Sequence, residues 1–135
     1  MLKPNNFSKR YRVYYEDTDA GGVVYYANYL KFFERSRTDF LRSLNILQSD
    51  LIQKENLAFV VKKCEIEYLI PAKLDDEIDV NVIVEKIGGA SISMFQEITK
   101  NNLILSRLKV SIVCVATDNF KPKKIPQNIK NLLNA

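Results

Sequence analysis

The sequence predicts an α+β domain in which a curved antiparallel sheet wraps around one long helix. Three features carry that expectation. An amphipathic stretch free of proline and glycine runs from Asn28 to Leu44. Beyond residue 57 the apolar period changes from about four to two. Turn-forming pairs, Gly88-Gly89 and Asn101-Asn102, sit where successive strands need hairpins.

Taken in order, residues 11–16 (Tyr-Arg-Val-Tyr-Tyr-Glu) are aromatic and β-branched and read as a short strand. The Gly21-Gly22 turn follows. In the long helix, Tyr29, Leu30, Phe33, Phe40, Leu41 and Leu44 share one face, and Lys31, Arg35, Thr38, Asp39 and Arg42 take the other. A shorter helical piece covers Gln48 to Asn56. Strands are expected at 57–70, ending at Pro71, then at 77–87, 90–99 and 103–116. The second of these alternates cleanly, with Ile78, Val80, Val82 and Val84 facing one way and Glu77, Asp79 and Asn81 the other. Pro122 and Pro126 bracket a loop before a last helix, Gln127 to Leu133. No repeat or composition shift divides the chain, so residues 1–135 read as one domain. One helix on a flat sheet would leave the other face too apolar, so the sheet must curve. The alternating strands still leave apolar surface for a partner subunit, and a dimer is expected.

Composition narrows the function classes. The chain has 135 residues, a formal net charge of +4 and no histidine. No apolar run approaches the ~20 residues that span a bilayer, so no stable membrane insertion is expected. The segment Met1 to Arg10 is polar and basic, unlike a secretory signal, which makes the cytoplasm the expected compartment. Cys64 and Cys114, in apolar strand-like runs, read as buried reduced thiols with no metal-binding spacing. Without histidine a zinc site is not expected. Lys121, Lys123, Lys124 and Lys130 read as a solvated basic end, too narrow for a nucleic-acid surface.

The chemistry concentrates between Tyr15 and Asn28, where Glu16, Asp17 and Asp19 precede Gly21 and Gly22, just ahead of the helix. With no histidine present, acid–base or nucleophilic work falls to a carboxylate, tyrosine, lysine, cysteine or hydroxyl. Glycines let backbone N–H groups approach a ligand, and a helix start offers unpaired N–H groups and a positive dipole end to a developing oxyanion. A carboxylate beside such a site can attack a carbonyl carbon or activate water, which suits acyl transfer. The plainer alternative is that Asp19 only orders its turn through side-chain to backbone hydrogen bonds. A calcium loop fits Asp17, Asp19 and Gly22 in part, but Gly21 and Asn28 stand where ligands are needed, so no metal is assigned.

The run Val-Tyr-Tyr-Glu-Asp-Thr-Asp-Ala-Gly-Gly-Val-Val-Tyr from Val13 to Tyr25 carries a family resemblance. It is supported by Ala27-Asn28-Tyr29, Phe33-Glu34-Arg35 with Arg37, Phe59-Val60-Val61, Glu67-Tyr68, Pro71-Ala72 and Leu74-Asp75-Asp76. From about Tyr11 to Leu133 the chain resembles the hotdog-fold acyl-CoA thioesterases of the 4-hydroxybenzoyl-CoA thioesterase type, and among them the YbgC branch associated with the Tol-Pal gene neighbourhood. The resemblance implies a hotdog fold with the long helix at its centre and Asp19 as the catalytic carboxylate. It also implies that the Tyr26 backbone N–H polarises the thioester carbonyl and that Gly21 and Gly22 shape the loop past which the substrate lies. The implied substrate is an acyl-CoA of short to medium chain, or an acyl carrier protein thioester in its place. Coenzyme A enters as part of the substrate and no cofactor is called for. The implied assembly is a homodimer or homotetramer with its sites at the dimer seam.

One departure stands out. Members of the YbgC branch usually carry histidine where this chain has Tyr26, whereas 4-hydroxybenzoyl-CoA enzymes with the aspartate in this place can carry tyrosine. Basic residues that grip coenzyme A phosphates in that second branch would fall near Gly88-Gly89-Ala90, so no phosphate contacts are assigned. The rival to an enzyme is a non-catalytic subunit that binds acyl thioesters or acyl carrier protein. Glu34 and Arg37, three apart on the helix, read as a surface ion pair.

Overall fold

In a computed structural model of the chain, residues 6–134 are described. The expectation for the N-terminal segment therefore lies partly outside the described residues. The elements are β1 (Asn6–Arg12), α1 (Tyr29–Ser43), α2 (Gln48–Glu55), β2 (Leu57–Tyr68), β3 (Glu77–Ile87), β4 (Ser91–Lys100), β5 (Leu103–Ala116) and α3 (Gln127–Asn134). All strand pairs are antiparallel, in the order β1-β3-β4-β5-β2.

The alternation in β3 sets the core face. Ile78, Val80 and Val82 are fully buried, with Met94 and Ile98 of β4 and Leu108 of β5 beside them. The α1 residues Phe32, Phe33 and Phe40 pack onto that face, closing one hydrophobic cluster. At the β4–β5 turn, Asn101 and Asn102 both take positive φ, 49° and 67°, as a two-residue hairpin turn demands. Asparagine tolerates that backbone better than most residues.

Three sequence expectations are corrected here. The first strand lies earlier, at Asn6–Arg12, because ladder bonds to β3 hold this polar segment at the sheet edge. Tyr15 to Asp17 instead form a 3-10 turn. On α1, Phe32 and Ser36 are buried while Leu30 points outward, since the core-facing stripe runs through Tyr29, Phe32, Phe33, Ser36 and Phe40. Cys114 is buried as expected, but Cys64 is exposed on the edge strand β2.

A buried polar knot ties helix to sheet. The β3–β4 ladder passes from Val80–Ile98 to Ile83–Phe95 without pairing the residues between. Side chains fill that gap. Gln96, fully buried, donates from Nε2 to the carbonyls of Phe33 at 3.0 Å and Asn81 at 3.3 Å. The Asn81 Oδ1 accepts from Glu97 N–H. Arg37 Nη1 donates to Gln96 Oε1, so Arg37 makes no surface ion pair with Glu34, whose carboxylate accepts from Thr38 instead.

The second edge of the sheet, β2, leaves apolar side chains open. Val61 and Tyr68 are exposed there, as are Leu69 and Ile70 just beyond its end and Leu30 of α1.

Candidate active site

The segment from Val13 to Asn28 leaves the sheet, forms two short turns and delivers the chain to α1. Its start is pinned by Val13 N–H donating to the Asp76 carbonyl at 2.8 Å and Asp75 N–H donating back to Val13. Asp17 is buried, and its Oδ2 accepts from Tyr14 N–H at 2.9 Å. The Asp17 carbonyl accepts from both Tyr25 N–H and Asn28 Nδ2, each at 3.0 Å. Asp17 is thus the joint that holds the start of the loop against the approach to the helix.

Asp19 lies on the exposed tip. Its backbone closes a tight turn, donating to Val23 at 2.9 Å and accepting from Gly22 N–H at 3.1 Å. Its Oδ1 accepts from Gly21 N–H at 2.8 Å, the turn-ordering bond expected of an aspartate two residues before a glycine. Oδ2 has no protein partner among the described residues, so one carboxylate oxygen is fixed and the other is left open. Both glycines have a local reason. Gly22 sits at φ +80°, which side chains rarely adopt, and a Cβ on Gly21 would stand 3.3 Å from Asp19 Oδ1. The tip is tied down by Val24 N–H to the Ala72 carbonyl and Leu74 N–H to the Gly22 carbonyl.

Tyr26 to Asn28 form a 3-10 turn that runs directly into α1. Asn28 N–H donates to the Tyr25 carbonyl at 2.8 Å, which orients the Tyr25–Tyr26 peptide. The Tyr26 N–H, at the first position of that turn, has no acceptor among the described residues, as helix starts require. Around it stand four tyrosines. Tyr29 is buried and its hydroxyl accepts from Ala72 N–H at 3.0 Å. Tyr68, at the end of β2, stands edge-on to Tyr29 and donates its hydroxyl to the Tyr26 carbonyl. Burial pushes the Tyr68 phenol above its ordinary value, with Tyr26 and Tyr29 adding to the effect, so it stays protonated and a donor near neutral pH. Tyr25 and Tyr26 pack ring to ring on the surface.

The predicted site residues Asp19, Gly21, Gly22 and Tyr26 therefore share one loop, held together through Asp17 and Asn28. The place of Tyr68 in the site escaped the sequence reading because its link to Tyr26 spans 42 positions; its only sign was the Glu67-Tyr68 pair within the family resemblance. Among the described residues no group of three or more histidine, cysteine, aspartate or glutamate side chains could hold a metal ion.

Residues 13–133 match the Thioesterase-like superfamily. The chain belongs to that superfamily. The likeness extends to individual relatives of this superfamily member. It is 49% identical over 126 residues to the acyl-CoA thioesterase YbgC of Haemophilus influenzae, covering 93% of each chain. It is 44% identical over 119 residues to the acyl-CoA thioester hydrolase YbgC of Escherichia coli O157:H7, covering 87% of this chain and 88% of the relative. Among solved structures, a probable thioesterase from Bartonella henselae superposes with a TM-score of 0.86 at 35% identity, covering 90% of this chain and 99% of that one. A 4-hydroxybenzoyl CoA thioesterase superposes with a TM-score of 0.89 at 12% identity, covering 96% and 99%, a likeness of fold alone. The thioesterase superfamily and the hotdog fold expected from the sequence are both found. No helix among the described residues is long and apolar enough to cross a membrane.

Proposed function

We propose that the chain is an acyl-CoA thioesterase in which Asp19 supplies the reacting carboxylate and the Tyr26 N–H stabilises the oxyanion. The observation that carries the reading is the pairing of a half-fixed carboxylate, Oδ1 held by Gly21 and Oδ2 open, with an unpaired backbone N–H at the helix start on the same loop. In one route Asp19 removes a proton from water as the water oxygen bonds to the thioester carbon. In the other the Asp19 oxygen bonds to that carbon itself, and water later cleaves the mixed anhydride. Either way the carbonyl oxygen gains charge, the Tyr26 N–H accommodates it, and collapse breaks the C–S bond. The thiolate leaves and takes up a proton. The carboxylate and the N–H complete this chemistry without a cofactor, and coenzyme A departs as product.

The exposed apolar edge at β2 supports a second copy as the covering partner, in a homodimer or a homotetramer. The remaining parts of this reading are a single hotdog domain over residues 1–135, a cytoplasmic location, a short- to medium-chain acyl group, and acyl carrier protein as the other possible carrier of the acyl chain. A thiol-release screen across acyl-CoA substrates of short to medium chain, with one aromatic acyl-CoA included, tests it. Turnover on any member is the expected result. Tight binding of acyl-CoA with no thiol released anywhere in the panel would instead make the chain a binding subunit.

A further inference from the structure

Tyr68 closes the edge strand β2, and its hydroxyl donates to the Tyr26 carbonyl at 2.9 Å. The ring is steadied by edge-on packing against Tyr29 at 5.1 Å and Tyr26 at 6.4 Å. Tyr29 is itself fixed in the core through Ala72 N–H. The phenol is therefore anchored, while the backbone it grips belongs to a three-residue turn in which Tyr26 and Ala27 are exposed. On the other side of the Tyr26 Cα, Asn28 N–H holds the Tyr25 carbonyl. The two bonds flank the residue whose N–H has no acceptor among the described residues.

We propose that Tyr68 is a positioning residue for thioester hydrolysis, holding the Tyr26 carbonyl so that the Tyr26 N–H stays aimed at the developing oxyanion. This rests on the reading of that N–H as the oxyanion donor. Hydrogen bonds weaken steeply as the donor angle closes, so a turn free to rock loses stabilisation where the charge forms. A donor already in place needs no reorganisation at the moment of reaction. Because the charge is fully developed only in the transition state, the loss falls on kcat rather than on KM.

Three variants separate the possibilities. Tyr68→Phe keeps the ring and removes the bond; kcat should fall about three- to tenfold with KM within about twofold of wild type. Replacing Tyr68 by 3,5-difluorotyrosine keeps the bond while the more acidic phenol is protonated. That variant should show a fall in kcat at alkaline pH, as the phenol ionises, that wild type lacks; a packing role would produce none. Replacing the Tyr26 amide by an ester removes the N–H itself. An ester variant with wild-type kcat would refute the oxyanion reading. A damaged ester variant, beside Tyr68→Phe and difluorotyrosine variants with wild-type kcat and pH profile, would overturn the Tyr68 proposal alone. A rise in KM with kcat unchanged in Tyr68→Phe would also overturn it.

Discussion

Arg37 Nη1 donates to Gln96 Oε1 at 2.9 Å, joining α1 to β4 across 59 positions of sequence. Burial lowers the affinity of the Arg37 guanidinium for its proton, with the Glu34 charge opposing the effect, and the Gln96 amide is the neutral group that receives it. The same amide caps the Phe33 carbonyl in the middle of the helix. One buried side chain thus sets how the central helix lies on the sheet.

Gln96→Leu should lower stability by about 2–4 kcal/mol, because it strips the half-buried Arg37 guanidinium of its amide partner and removes the Gln96 donor from the Phe33 and Asn81 carbonyls. Urea unfolding measures this. A loss of less than about 1 kcal/mol would mean that water replaces the amide and that the knot does not set the packing.

Acid should weaken the fold through Asp39 and Asp76. Burial is the largest single influence on both carboxyls and would raise their pKa values, but their partners together outweigh it. Asp39 is hydrogen-bonded by Tyr11 and paired with Lys9, and Asp76 is paired with Lys100 at 2.7 Å and bonded by Lys73 N–H, so both lie below the ordinary range. A depressed folded pKa means stability that is present above the unfolded value, about 4, and lost as the pH falls through the folded value. Lys100→Met should remove about 1 kcal/mol near neutrality and flatten the acid limb of a stability–pH curve below about pH 4. An unchanged acid limb would exclude Asp76 as a contributor.

Periodic patterns were legible in the sequence, and long-range polar contacts were not. The alternation of Ile78, Val80, Val82 and Val84 announces both the strand and its buried face, because a period of two places every apolar residue on one side. The helix from Tyr29 to Ser43 is equally plain, though Leu30 and Phe32 exchange places, since each lies about 100° from a stripe residue, Leu30 from Tyr29 and Phe32 from Phe33, and both are apolar. β1 hid because Ser8, Lys9 and Arg10 look like loop; they are strand through their ladder to β3, not through propensity. In the site, Asp19 with Gly21 and Gly22 could be read locally because the turn is local. The Glu34–Arg37 pairing misled because helical spacing says nothing of Gln96, brought in from β4.

Tyr26→Phe should leave kcat within about threefold of wild type, since the backbone N–H survives and the side chain is exposed. Steady-state kinetics on an acyl-CoA substrate checks it. A loss as deep as that from removing the Asp19 carboxylate would assign the phenol, not the amide, to the reaction.

The exposed residues Val61 and Tyr68 of β2, with Leu69 and Ile70 just beyond its end, should be covered by a second copy in solution. Light scattering should give at least a dimer at working concentration, and turnover per chain should fall on dilution as the dimer dissociates. A monomer with full turnover would remove the shared-seam part of the account.

The central claim is tested most directly by thiol release from acyl-CoA with Asp19→Asn set beside wild type, thermal unfolding being measured on both. The amide can still accept from Gly21 N–H, so the fold should hold with Tm within about 2 °C, but it is neither base nor competent nucleophile, and kcat should fall roughly 10²–10⁴-fold. Thiol release by the folded variant at a near-wild-type rate would contradict the assignment of Asp19.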